Sequence, residues 1–152
     1  MKKYVLFSLL LACFLCIWGC DQNKTEGIDF PFAIGDVTSI EMYHFEGTSG
    51  NAEKKVAVDE DDIKAVFDLF ERISLTTERV STDTSGGSTI HFTFNLADGT
   101  NYELTYIGHG IKNGTLKSST GNFEYFTLAD IYGFWITIDI DAVVVEENAL
   151  TK

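Results

Sequence analysis

The sequence predicts an α+β domain. It consists of a mostly antiparallel sheet of about six to eight strands, with one principal helix, residues 60–73, packed on one face. Three patterns carry this reading. Two runs of alternating apolar and polar residues, 89–96 and 101–106, flank Ala97-Asp98-Gly99, as the arms of a β-hairpin do. Ile63, Val66, Phe67, Phe70 and Ile73 recur at intervals of three and four, which is one apolar stripe along a helix. Short runs of β-formers separated by turn pairs, Asn113-Gly114 and Gly121-Asn122, fill the second half.

Taken in order, Val37 to Phe45 reads as a strand, Gly47 to Asn51 as a turn, and Lys54 to Val58 as the returning strand. Asp59 stands where a helix N-cap belongs. Glu60, Asp61 and Asp62 then place negative charge at the positive end of the helix dipole, and Arg72 sits near the other end. Leu75 to Val80 is a short strand candidate, and Thr82 to Gly87 a polar loop.

The hairpin register follows from side-chain parity. A two-residue Asp98-Gly99 turn would oppose Phe94 to Glu103. A three-residue loop opposes Phe94 to Tyr102, Phe92 to Leu104 and Ile90 to Tyr106, which keeps one face apolar throughout. That loop needs a positive φ at Gly99. Gly108-His109-Gly110 then interrupts the strand. Asn122 to Phe126 reads as a strand, Thr127 to Gly133 as a short helix capped by Thr127, and Trp135 to Val145 as a long final strand. In that strand Ile136, Ile138, Ile140, Ala142 and Val144 share a face.

The N-terminus has a different character. Lys2 and Lys3 precede an uncharged apolar block, Tyr4 to Trp18, and Ile17-Trp18-Gly19-Cys20 is followed at once by Asp21, Gln22, Asn23 and Lys24. A positive start, an apolar stretch shorter than the ~20 residues of a membrane span, and a small residue before the cut describe a secretory signal. Ile17, Gly19 and Cys20 resemble the lipobox of bacterial lipoproteins. Leu10-Leu11-Ala12-Cys13 is a competing match, but it leaves too short an apolar block. The resemblance implies cleavage after residue 19, a diacylglycerol on Cys20, and localisation to the cell membrane, lipid-anchored at its extracytoplasmic face. Two acyl chains make a stable anchor where one does not. Residues 20–34 then read as lipidated terminus and tether, reaching on the order of 20 Å, unless Phe30 and Phe32 dock on the domain. Residues 35–146 form the single domain and 147–152 a frayed end. Beyond the lipobox, the domain has only a general resemblance to small lipoproteins of unknown function.

Composition narrows the function classes. The chain carries 11 basic and 23 acidic residues, a net charge of −12, and loss of Lys2 and Lys3 takes it to −14. Such a surface repels phosphate backbones, which argues against nucleic acid as a partner. Cys13 and Cys16 lie in the leader, so the mature chain keeps only the acylated Cys20 and makes no internal disulfide.

No arrangement of activated nucleophile and base is visible. His44, His91 and His109 lack metal-ligand spacing, and neither acidic cluster, 59–62 nor 139–147, follows a calcium-loop pattern. No catalytic residue, metal or cofactor is therefore expected. His44 should be partly buried and His91 exposed on the wet face of its strand. His109, between two glycines, is the accessible histidine. Tyr125, Tyr132 and Trp135 belong to an aromatic cluster at 123–135 of the kind enriched in binding hot spots. The expectation is a non-enzymatic interaction module held at the membrane, with another envelope protein as partner. The alternative is a small-ligand binder with an aromatic-lined pocket between helix and sheet.

Overall fold

The computed structural model describes residues 24–46, 50–77, 87–110 and 112–146. The expected leader, Cys20 and the 147–152 tail lie outside these residues, as do most of the 82–87 loop and the end of the 75–80 strand candidate. Nine strands form one sheet: β1 (Lys24–Glu26), β2 (Val37–Phe45), β3 (Asn51–Ala57), β4 (Ser74–Thr76), β5 (Thr89–Leu96), β6 (Asn101–Gly108), β7 (Gly114–Ser118), β8 (Phe123–Thr127) and β9 (Val143–Glu146). The helices are α1 (Glu60–Glu71) and α2 (Ile131–Thr137), and a 3-10 turn covers Ile34–Asp36. Every neighbouring pair is antiparallel, in the order β1-β4-β8-β7-β6-β5-β2-β3-β9. Nine strands exceed the expected six to eight, and the additional one is β1, inside the expected tether.

The central hairpin has the register that parity demands. Phe94 opposes Tyr102, Phe92 opposes Leu104 and Ile90 opposes Tyr106. Leu96 N–H donates to Thr100 O at 2.9 Å, closing a three-residue loop in which Gly99 has φ +85°. Across β2 the same rows continue: Ile40 lies opposite Phe94, Met42 opposite Phe92 and His44 opposite Ile90. These side chains make the buried face of the sheet. The opposite face carries polar cross-strand pairs, among them Asn95–Ser39, His91–Thr105 and Lys117–Glu124. His91 is half-buried there rather than exposed. Burial pushes its imidazole pKa down, against the opposing pull of Glu103.

Helix α1 buries the predicted stripe Ile63, Val66, Phe67 and Phe70 against the sheet, and Ile73 is buried just beyond its end. Asp59 occupies the N-cap position, but its side chain makes no capping bond. Its contribution is the backbone carbonyl, which accepts from Ile63 N–H at 2.9 Å. At the other end, Asp68 is bridged by Lys64 and Arg72 one turn to either side.

Two segments of the chain also depart from the expected organisation. The first concerns residues 24–34, which are part of the domain rather than a tether. β1 pairs with β4 along the sheet edge. The chain then turns at Gly27 (φ +72°), where an added Cβ would meet Glu71 O at 2.5 Å. Gly27 N–H and Ile28 N–H donate to the carbonyls of Ile73 and Phe70, satisfying the end of α1. Phe30 then packs among Phe32, Phe67, Phe94 and Tyr102, with ring centroids 4.6–5.7 Å apart. The slot between helix and sheet is filled by the chain's own rings.

The second concerns residues 127–145. Residues 131–137 are helical, and the final strand is confined to Val143–Glu146. Ile131, Phe134, Trp135 and Ile138 fall at i, i+3, i+4 and i+7, and all four pack on the core. The strand reading would bury Ile136, which is instead 60 % exposed. The cap is Asp130, whose Oδ1 accepts from Gly133 N–H at 2.8 Å. Thr127 ends β8 instead, its hydroxyl donating to Ser74 O and accepting from Ala129 N–H.

Phe30→Ala should therefore destabilise the domain by about 2–3 kcal/mol, as large-to-small changes in an aromatic core do. Urea unfolding followed by circular dichroism measures it. An unchanged midpoint would mean that residues 24–34 are a tether after all.

Candidate functional site

Two polar residues of the buried face, His44 and Lys55, lie together at one end, beneath α2. His44 shares parity with Ile40 and Met42 and is 3 % exposed. Glu53 and Lys55, on β3, lie opposite His44 and Met42 and project to the same side. An ammonium on an apolar face needs partners. Lys55 Nζ donates to the carbonyls of Trp135 (2.9 Å) and Ile138 (3.1 Å), at the negative end of α2, and lies 5.0 Å from the Trp135 ring centroid. His44 is covered by Tyr132 and Trp135, with ring centroids at 5.2 and 5.5 Å, and its Nδ1 is 3.5 Å from Glu53 Oε2. Its Nε2 is buried and meets no hydrogen-bond partner among the described residues.

The N-terminal end of α2 lies over the β6–β7 hairpin. Lys112 Nζ is 3.6 Å from Asp130 Oδ2, and Tyr106 donates its hydroxyl to Asn113 O at 3.0 Å. Burial, with a further push from Asp130, raises the Tyr106 hydroxyl pKa to about 12.

Of the four residues singled out in the sequence, the structure brings Tyr132 and Trp135 together. Trp135 faces inward, while Tyr132 is at the surface with Ile136 one turn on. His109 lies in the β6–β7 loop, where its Nε2 is hydrogen-bonded to Thr115 Oγ1 at 2.7 Å. Tyr125 is on β8, stacked on Phe123 at 5.0 Å beside an open groove of about 530 Å³ formed with residues 25–29. These two do not join the α2 cluster.

Sequence reasoning missed Lys55, Ile136, Val143 and Val144. Val144 lies opposite Glu53 and so projects to the same side of the sheet as α2. Tyr132, Ile136 (60 % exposed) and Val144 (71 %) leave apolar side chains exposed on the α2 side of this corner, while Val143 (55 %), opposite Lys54, projects from the other face. Asp139, Asp141 and Glu146 lie beside these residues along the chain. The signal that finds Ile136 is the helical period at 131–138, which turns Tyr132 and Ile136 outward together.

The other surface grooves lie beside the N-terminal strap. One of about 770 Å³ is formed by Pro31, Phe32 and the β5–β6 turn, and one of about 540 Å³ runs along α1. Among the described residues, no three His, Cys, Asp or Glu side chains converge as metal ligands would, and no helix is long and apolar enough to cross a membrane. Compared with known proteins, the chain matches no family model, no curated protein and no solved structure.

Lys55→Met removes the cation from the end of α2 and should cost about 2 kcal/mol. Loss of the Trp135 near-ultraviolet dichroism before global unfolding would show α2 detaching first. For Tyr106 the sign follows from its raised pKa. Below pH 10 the phenol is neutral in both states, so the stabilisation is complete there. Between pH 10 and about 12 the unfolded phenol ionises while the folded one resists, and stability falls. Tyr106→Phe should flatten that part of the pH–stability curve, measured by urea unfolding.

Proposed function

We propose that the chain is a lipid-anchored extracytoplasmic module that binds another envelope protein through the α2–β9 corner and performs no catalysis itself. The observation that carries this reading is the exposure of Tyr132, Ile136 and Val144 on the α2 side of the sheet, with Asp139, Asp141 and Glu146 beside them along the chain. Exposed apolar surface with a polar rim is the usual composition of a protein-binding site. A ligand pocket between helix and sheet is less favoured, because Phe30 and Phe32 occupy that slot.

The anchor geometry supports the same corner. With acyl chains on Cys20, only four residue steps separate the lipid from β1, a reach of at most about 14 Å. β1 and β9 are opposite edges of a nine-stranded sheet. Eight strand spacings put them about 38 Å apart. The lipid would thus hold the β1 edge near the membrane and present the β9 corner away from it.

A photo-crosslinking side chain placed at Ile136 in living cells tests the reading, with the same substitution at Glu124 and the Cys20→Ala chain as controls. One dominant partner should be captured from position 136, be absent from position 124, and be lost without the anchor. Equal and identical capture from both positions would sink the proposal.

A further inference from the structure

Resting on that interaction reading, we infer that β9 is a docking edge that accepts a strand. An extended partner segment, apolar at alternate positions and basic at its ends, adds to the sheet beside Val143–Glu146.

β9 ends the strand order and, among the described residues, pairs only with β3, through four residues. An antiparallel edge strand keeps alternate backbone N–H and C=O groups that no ladder uses. The two edges of this sheet are unlike. β1 is three residues of Lys-Thr-Glu closed by Gly27, a short polar edge of the kind that discourages pairing. β9 is Val-Val-Val-Glu, built from strong strand formers, with Val143 and Val144 more than half exposed.

Charge selects the occupant. The sequence holds no Lys or Arg from residue 118 to residue 151, while Asp139, Asp141 and Glu146 bracket the valines. A second copy fits poorly. Antiparallel pairing that opposes Val143 to Val144 also opposes Asp141 to Glu146, and like charges directly across a ladder destabilise it. A segment with Lys or Arg at those ends meets opposite charge instead. Backbone pairing then supplies affinity, and the valines on alternate faces supply register.

The probe is the amidated peptide Lys-Val-Thr-Val-Thr-Val-Lys, titrated into the detergent-solubilised full chain and followed by fluorescence anisotropy and amide hydrogen exchange. A Glu-flanked counterpart and a counterpart N-methylated at alternate residues complete the set. The lysine peptide should bind at least about tenfold more tightly than the glutamate one. It should lose binding on N-methylation and slow exchange at the β9 amides. Val143→Lys with Val144→Lys should weaken it by about tenfold, because it places like charge on the edge. Both positions are exposed, and the N-methylated arm uses the unaltered chain, so the test does not depend on the variant folding.

Equal binding of the N-methylated peptide, or slowed exchange away from β9, would overturn the inference. So would sedimentation showing a dimer that the double-lysine variant dissolves. If position 136 still crosslinks one anchored partner while the peptides fail in this way, the interaction module stands and the strand-docking edge falls.

Discussion

The nine-stranded sheet has two faces, and the chain supplies a continuous apolar surface for only one. Ile40, Met42, Ile90, Phe92, Phe94, Tyr102, Leu104, Tyr106 and Leu116 all project to the same side, in rows that run across four strands. Because side chains alternate along a strand, a one-residue slip in any pair would turn such a row to water. Everything else in the structure is cover for that face. α1 lies over its middle, the strap from Gly27 to Asp36 fills the space beside α1, and α2 closes the end over β2 and β3. The cover is made of one twelve-residue helix, one seven-residue helix and irregular chain. Each piece is therefore needed, including the residues nearest the N-terminus.

The corner under α2 follows from the same constraint. His44 and Lys55 have core parity but polar heads, and burying either without partners costs several kcal/mol. Lys55 finds the carbonyls at the end of α2, and His44 finds Tyr132, Trp135 and Glu53. The helix is therefore held by polar contacts at its C-terminal end as well as by Ile131 and Trp135. Its seven residues are too few to be stable alone. Because Trp135 and Lys55 engage the inner side, Tyr132 and Ile136 are left facing out.

What the sequence made legible, and what it hid, divide along local and tertiary lines. The register of β5 and β6 was readable because turn length and parity leave only one apolar pairing. The α1 stripe was readable because its five residues match one period and no other. Residues 131–144 carry two periods. Ile136, Ile138, Ile140, Ala142 and Val144 alternate, while Ile131, Phe134, Trp135 and Ile138 repeat helically. Local pattern does not choose between them, whereas the waiting Lys55 ammonium and the bare end of the sheet do. The strap was hidden for a similar reason. Phe30-Pro31-Phe32 has the composition of a linker, and its role comes from rings on α1, β5 and β6, which are distant in sequence. Tyr132 and Trp135 stood out as aromatics. Lys55 did not, because a lysine in a strand ordinarily reads as a wet position, and only the pairing with Met42 reveals its parity.

The valines of β9 pose the last physical question, since an apolar edge strand invites indiscriminate pairing. The acidic residues around it provide an answer that also bears on function. Asp139, Asp141 and Glu146 raise the cost of approach for any acidic surface, and this chain, with its excess of acidic residues, is such a surface to its own copies. Repulsion of this kind is long-ranged and weakens with salt. It acts on encounter before backbone groups can pair. The same charges attract a basic segment from the same distance and speed its docking. One feature thus keeps the edge free of copies of itself and gives it a preference among partners. Affinity remains with the backbone pairing and the two exposed valines, so charge sets which chains arrive and the ladder sets how long they stay.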